Sequence, residues 1–255
     1  MVHATHPSSR RRPTPGARPA LSLVIAAFVG LASCGPAIPT NGISDPNEAQ
    51  NRAVHNFNLA LDRNILRPIA TSATDLVPEP VERGVVNFAK NLELPGTVVN
   101  NILQLRLGKA VENTLRFAIN STVGIGGLFD PATAAGVMGK PSDFGETLQV
   151  WGVTEGNYFE LPFLGPSTDR DALGKLVDFG LNPLSLIVRD TGNVPLIAKI
   201  ASTISDRGRY SETVDSILYD SADSYAQARL LYLQNRRFDL GEVPSDESFE
   251  DPYAQ

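Results

Sequence analysis

Residues 45–68 read DPNEAQNRAVHNFNLALDRNILRP, and their spacing decides the fold class. Asp45 stands as an N-cap acid, Pro46 at the first helical position, and Glu48 three residues after the cap. Behind that start Val54, Phe57, Leu61 and Ile65 recur at helical spacing, and Pro68 is expected to end the run. The same stripe returns along the chain. Pro78 and Pro80 frame a second start, and Val81, Val85, Phe88 and Leu92 follow before Pro95. Val98, Ile102 and Leu105 come next, then Leu107, Val111, Leu115 and Ile119 on a longer helix. From residue 194 the pattern is helical again. It closes on Ser221–Phe238, where Tyr225, Arg229, Tyr232 and Arg236 share one face. Long alternation of polar and apolar residues is absent, which speaks against a β-sandwich or barrel. The expected class is all-α: many short helices joined by tight turns, in one body over residues 45–238.

The N-terminus carries a different signal. A basic segment (Arg10, Arg11, Arg12, Arg18) precedes an apolar stretch from Ala20 to Gly30 and the sequence Leu31-Ala32-Ser33-Cys34. A basic head, a short apolar middle and small residues before a cut describe a secretory signal. Small residues directly ahead of a cysteine describe the bacterial lipoprotein variant. Residues 1–33 would then be a signal peptide and Cys34 the lipid-attachment residue, acylated with diacylglycerol and palmitate. A thiolate is a good nucleophile for taking a lipid, and two or more acyl chains anchor stably where one does not. Residues 34–44 read as a Pro- and Gly-bearing tether, and residues 239–255 as an acidic, disordered tail.

Without residues 1–33 the chain carries 18 basic against 28 acidic side chains, a net charge of −10. Nucleic acid is therefore not an expected partner, because phosphate neutralisation needs basic patches. Cys34 is the only cysteine, so no disulfide is expected. No later stretch reaches the roughly 18 consecutive apolar residues of a spanning helix.

Two segments in the middle are apolar without helical periodicity. Gly124-Ile125-Gly126-Gly127-Leu128-Phe129 combines backbone freedom with side chains that avoid water. Leu161-Pro162-Phe163-Leu164-Gly165-Pro166 cannot be a regular helix. Motifs for chemistry are missing. Behind Cys34 only His55 remains of the three histidines, and it is expected to fill an ordinary helix-surface or core role. No metal site, no cofactor and no catalytic residues are expected. Gly124–Gly127 lacks the Lys-Ser/Thr ending of a phosphate loop, and neither Gly-x-Ser-x-Gly nor Ser-x-x-Lys occurs. The carboxylates of Asp169-Arg170-Asp171 read as first-turn acids, with Ser167 or Thr168 as the cap.

Asp45-Pro-Asn-Glu-Ala-Gln-Asn51-Arg52, Phe57-Asn58, Asp62 and Arg67-Pro68 closely resemble the opening of the VacJ/MlaA family of outer-membrane lipoproteins. The resemblance runs on through Asn87-Phe88, Asn91-Leu92, Pro95, Asn100, Leu103-Gln104, Arg116-Phe117 and Asn120 to Gly124-Ile-Gly-Gly127. Asp143-Phe144-Gly145, Thr147-Leu148, Gly152, Tyr158, Leu161-Pro162, Gly165-Pro166-Ser167, Arg170-Asp171, Asp220-Ser221 and Tyr225 complete it. Gln50, Ala73 and Thr74 depart from the usual aromatic or aliphatic residues, and the segment after Pro183 matches loosely.

The resemblance implies a helical, ring-like, membrane-embedded body on the periplasmic side of the outer membrane. It implies retrograde phospholipid transport, in which mislocalised phospholipid leaves the outer leaflet and lipid asymmetry is maintained. Trimeric porins and a periplasmic lipid carrier are the implied partners. The lipid path is expected along Gly124, Ile125, Gly126, Gly127, Leu128 and Phe129, and along Leu161, Phe163 and Leu164. Two alternatives stand beside it: a lipoprotein scaffold that binds porins or other envelope proteins without moving lipid, and a phospholipid hydrolase. The missing nucleophile–base pair disfavours the hydrolase.

Overall fold

Helix α1 (Glu48–Leu61) passes through a π turn (Asp62–Leu66) into α2 (Arg67–Leu76) without leaving helical backbone. The computed structural model describes residues 43–181 and 194–242, so Cys34, the expected signal segment and most of the expected tail lie outside the described residues. Both expected ends of the first helix are displaced. Asn47 flanks the first helical residue and makes no side-chain cap bond. Asp45 instead accepts from Asn51 Nδ2 at 2.8 Å and from the Tyr225 hydroxyl at 2.5 Å, and pairs with Arg229. A guanidinium outbids a backbone amide for a carboxylate. Pro68 opens α2 rather than closing α1. Proline cannot donate to the carbonyl four residues back, and the wider turn just before it absorbs that loss, with Arg67 N–H reaching Asp62 O.

Helix α3 (Glu79–Leu103) begins with Pro80 in its first turn, as expected, but runs straight through Pro95. A proline in a helix interior costs about 3 kcal/mol. Here α3 packs on both α4 (Leu107–Thr122) and α8 (Val194–Arg209), which offsets that cost. Leu105 falls beyond the end of α3 with a φ of +58°, so it belongs to a turn and not to the stripe Val98–Ile102.

The remaining helices start where caps put them. Asp130 accepts from Thr133 N ahead of α5 (Pro131–Ala134), and Asp143 accepts from Glu146 N at 2.8 Å ahead of α6 (Phe144–Val150). Strands β1 (Tyr158–Leu161) and β2 (Gly165–Thr168) form an antiparallel hairpin that pairs Tyr158 with Thr168 and Leu161 with Gly165. Helix α7 (Asp169–Leu181) follows directly, and Thr168 Oγ1 accepts from Asp171 N, the cap read from the sequence. Helices α9 (Ser211–Leu218) and α10 (Ser224–Asp239) complete the described chain. The helical class therefore holds, with one small hairpin added.

The only buried cluster of large apolar side chains among the described residues is Tyr158, Tyr225 and Leu233, flanked by Ile43 and Tyr232. It lies where the hairpin meets α10. Ile43 and Ser44, at the end of the expected tether, are already packed here: Tyr158 N donates to Ser44 O at 2.7 Å, and Ser44 Oγ donates to Asn157 Oδ1 at 2.8 Å.

Candidate functional site

The helices are inverted in polarity. On α1 and the turn after it, the buried residues are Asn51, His55 and Asp62, whereas Phe57 and Ile65 from the apolar stripe are exposed. Helix α4 buries Ala110, Asn113 and Asn120 and turns Leu107 (61% exposed), Val111 (59%) and Leu115 (50%) outward in one straight row. Helix α3 buries Asn91, Thr97, Asn100 and Asn101 along with Val86, Ala89 and Leu94, and exposes Val81, Val99 and Ile102. Helix α8 buries Ser202, Ser205 and Arg207 and exposes Leu196, Ile197 and Ile200. In water such helices turn their apolar stripe toward the core. An exposed apolar surface this extended marks a place where something other than water is met.

The glycine segment is a crowded turn. Phe129 N donates to Gly124 O at 2.9 Å, and Gly126 N to Ser121 O at 3.0 Å. Helix α3 holds it from the side: Asn91 Nδ2 donates to Ser121 Oγ and toward Gly126 O, and Asn87 Nδ2 to Leu128 O. A Cβ at Gly124 would stand 2.4 Å from both Asn120 O and Phe129 O, and one at Gly127 would meet the Asn91 side chain at 2.5 Å. So Gly124 and Gly127 are buried spacers, while Ile125, Leu128 and Phe129 project outward. Gly126 has open space and a φ of +71°.

The second segment is the hairpin tip. Asn58 of α1 clamps it: its Nδ2 donates to Leu161 O at 3.0 Å and its Oδ1 accepts from Phe163 N at 2.9 Å. Leu161 is half-buried, while Phe163 and Leu164 are exposed. Phe163 sits at a φ of +67° and meets Phe57 edge-on, ring centroids 5.4 Å apart. Neither hydrogen bonds nor ring contacts join the two segments to each other among the described residues.

The interior is held by ion pairs. Arg207 binds Asp62 through two hydrogen bonds of 2.8 and 2.9 Å and also reaches Asp215, while the Tyr219 hydroxyl donates to Asp62 at 2.7 Å. Burial alone would raise the Asp62 carboxyl; Arg207 and Tyr219 outweigh it and hold the group below the ordinary carboxylate range. Burial and the bond to Asp62 push the Tyr219 hydroxyl up to about 12. Arg236 bridges Asp143 and Asp171 with four contacts of 2.8–2.9 Å, tying α10 to α6 and α7.

His55 is buried, with Nε2 3.0 Å from Ser224 Oγ and Nδ1 3.4 Å from Glu160 Oε1. The order Ser–His–carboxylate resembles a nucleophile–base pair. The three residues connect α1, β1 and α10, and His55 is buried between them.

The polar residues that set the inner faces were missed as a class by the apolar-stripe reading. Their signal was nonetheless in the spacing: Asn51, His55, Asn58 and Asp62 step by four, three and four residues, and Asn113 and Asn120 by seven. A helical period carried by asparagine defines a face as surely as one carried by leucine, without saying which of the two is covered.

A family model described as MlaA lipoprotein matches residues 43–239. The Escherichia coli (strain K12) intermembrane phospholipid transport system lipoprotein MlaA is 36% identical over 223 residues, 86% of this chain and 86% of that protein. The protein of the same name from Haemophilus influenzae is 30% identical over 88% of this chain and 92% of its own length. A solved structure described as "Structural basis for maintenance of bacterial outer membrane lipid asymmetry" superposes with a TM-score of 0.65 at 32% identity, covering 77% of this chain and 99% of that one.

Proposed function

This chain belongs to the MlaA lipoprotein family, and from that premise we propose that it is an outer-membrane lipoprotein of phospholipid transport. It removes mislocalised phospholipid from the outer leaflet and so maintains lipid asymmetry. The observation that carries this reading is the polarity of α1, α3, α4 and α8: amides and ion pairs share the inward faces with a few mostly small apolar residues, and aliphatic rows face outward. Apolar rows that would be costly in water are stable against acyl chains, and helices keep their backbone groups paired in that medium. No described helix is long and apolar enough to cross a membrane, so the body meets the bilayer by its exposed rows and its anchor.

In this reading residues 1–33 are cleaved and Cys34 becomes the acylated N-terminus, with 34–44 the tether, 45–238 the helical domain and 239–255 the tail. The body faces the periplasm. Phospholipid passes Gly124–Phe129 and Leu161–Leu164, a trimeric porin is the membrane partner, and a periplasmic carrier receives the lipid. The projecting side chains of both segments, whose backbones are each held by an asparagine from a neighbouring helix, support their place on the path.

The test is the lipid content of the purified full chain. Near-stoichiometric co-purified phospholipid is expected, and a lipid-free protein would favour the scaffold. A Cys34→Ala chain should accumulate as a larger precursor. Mature-size protein partitioning into detergent would overturn the anchor.

A further inference from the structure

Four carboxylates are buried among the described residues: Asp62, Glu146, Glu160 and Asp171. Three of them bind an arginine, Asp62 with Arg207, Glu146 with Arg106 and Asp171 with Arg236. Glu160 is different. Its one basic neighbour within 4 Å among the described residues is His55, with Nδ1 3.4 Å from Oε1. Its Oε2 accepts from the Tyr158 hydroxyl at 2.5 Å, and Asn58 Nδ2 reaches Oε1 at 3.4 Å. A carboxylate on one ring nitrogen fixes the tautomer: Nδ1 carries the hydrogen, and Nε2 is left as an acceptor. Ser224 Oγ stands 3.0 Å from that Nε2. The Tyr225 ring meets the imidazole edge-on, centroids 5.6 Å apart, and holds its plane.

The serine is placed for attack. It opens the 16-residue helix α10, it is half-buried, and Ala222 and Asp223 beside it are exposed, so its hydroxyl lies at the surface while the imidazole lies beneath. The cap bond of this helix is made by Asp223, whose Oδ1 accepts from Ala226 N at 3.1 Å, which leaves the Ser224 hydroxyl to His55. Among the described residues no acceptor binds the backbone N–H of Ser224, at the positive end of the helix. A nucleophile's own N–H at such a position is a donor for a developing oxyanion. Ser224 and His55 are 169 residues apart in the chain, so no short motif carries the pair.

We propose that Ser224, His55 and Glu160 form an ester-cleaving triad whose substrate is a carboxylic ester reaching the surface at the start of α10. Ser224 Oγ attacks the carbonyl carbon as its proton passes to His55 Nε2, and His55 then gives that proton to the departing alcohol as the ester C–O bond breaks. Water attacks the acyl-serine in the same way, its proton moving through Nε2 back to Oγ, and the acid leaves. Glu160 is the positioning residue: it holds the ring in the tautomer that accepts at Nε2 and stabilises the imidazolium formed during the reaction. This activity is separate from lipid movement and does not rest on the transport reading.

The experiment exposes the purified full chain to a serine-directed fluorophosphonate and maps the adduct by mass spectrometry. One adduct, on Ser224, is expected. Wild type that takes no adduct, or takes it on another residue, would overturn the triad, and this arm needs no variant to fold. Hydrolysis of p-nitrophenyl acetate is the second arm: wild type should turn over, and Ser224→Ala should lose at least about a hundredfold in kcat. An adduct on Ser224 without hydrolysis, or hydrolysis unchanged in Ser224→Ala, would overturn the proposal. Glu160→Gln keeps the shape and removes the charge. It should lower kcat about a hundredfold with KM unmoved, a split that a merely structural role would not give; an unchanged kcat would overturn the role of Glu160. Co-purified phospholipid should be equal in wild type and Ser224→Ala, so the triad and the transport reading fail separately.

Discussion

The glycine turn at 124–129 and the hairpin tip at 161–165 look alike in sequence and differ in what holds them. Both are apolar, and both place a non-glycine residue in the left-handed region, Ile125 at +54° and Phe163 at +67°. Both are held by an asparagine side chain from a neighbouring helix. Yet Gly124 and Gly127 have no room for a Cβ, whereas a Cβ on Gly165 would meet nothing within 4 Å. The first turn is shaped by crowding against α3 and α4. The second is shaped by backbone conformation and the strand pairing beneath it. Equal display of apolar side chains can therefore rest on unequal tolerance to change.

Substitution at Gly124 should produce the largest effect. Gly124→Ala drives a methyl into two backbone oxygens, and a shift of the turn should cost about 3 kcal/mol. Urea denaturation of the purified chain checks it; a loss below about 1 kcal/mol would mean the turn is not crowded. Gly165→Ala should cost about 1 kcal/mol, because only the φ of +72° resists it. If the two glycines cost the same, the contrast between the regions fails.

Acid should separate the regions next. Asp130 closes the glycine turn, and although burial raises its carboxyl, bonds from Thr133 and Asn120 and the charge of Arg116 hold it below the ordinary range. A depressed folded value means that its contribution is present above the unfolded value of about 3.9 and is lost as pH falls through the lower folded value. Amide exchange at Phe129 should thus accelerate below about pH 4 relative to the hairpin amide of Phe163. Equal acceleration at both would remove Asp130 as the cause.

Leu128→Asp should move stability least, by less than about 0.5 kcal/mol, since the side chain is already exposed. Against acyl chains the same charge costs a few kcal/mol. The variant should fold and reach the membrane yet fail to clear outer-leaflet phospholipid. A folded, correctly located Leu128→Asp chain with full clearing would take this turn off the lipid path, and one that loses stability and level together would make it a core turn.

Much of the helical architecture was legible in single residues. Pro80 in the first turn of α3, Thr168 ahead of α7 and the shared face of Tyr225, Arg229, Tyr232 and Arg236 act as the spacing indicates. What failed was punctuation and polarity. Pro68 and Pro95 read as stops because an isolated helix cannot pass them cheaply, but the π turn ahead of Pro68 and the packing of α3 on its neighbours carry the chain through. Asp45 read as a cap because its competing partners, Tyr225 and Arg229, lie 180 and 184 residues away.

Period, turn chemistry and the resemblance of ordered motifs are local properties, and the sequence by itself determined them: a helical body, two apolar non-helical segments and the family. Which side of each helix faces inward was decided only by the tertiary structure. Amphipathic spacing defines two faces and is silent on which one is covered. That choice depends on the medium outside and on partners far along the chain, here the asparagines, the Asp62–Arg207 pair and the Arg236 bridge that give the polar faces something to bind.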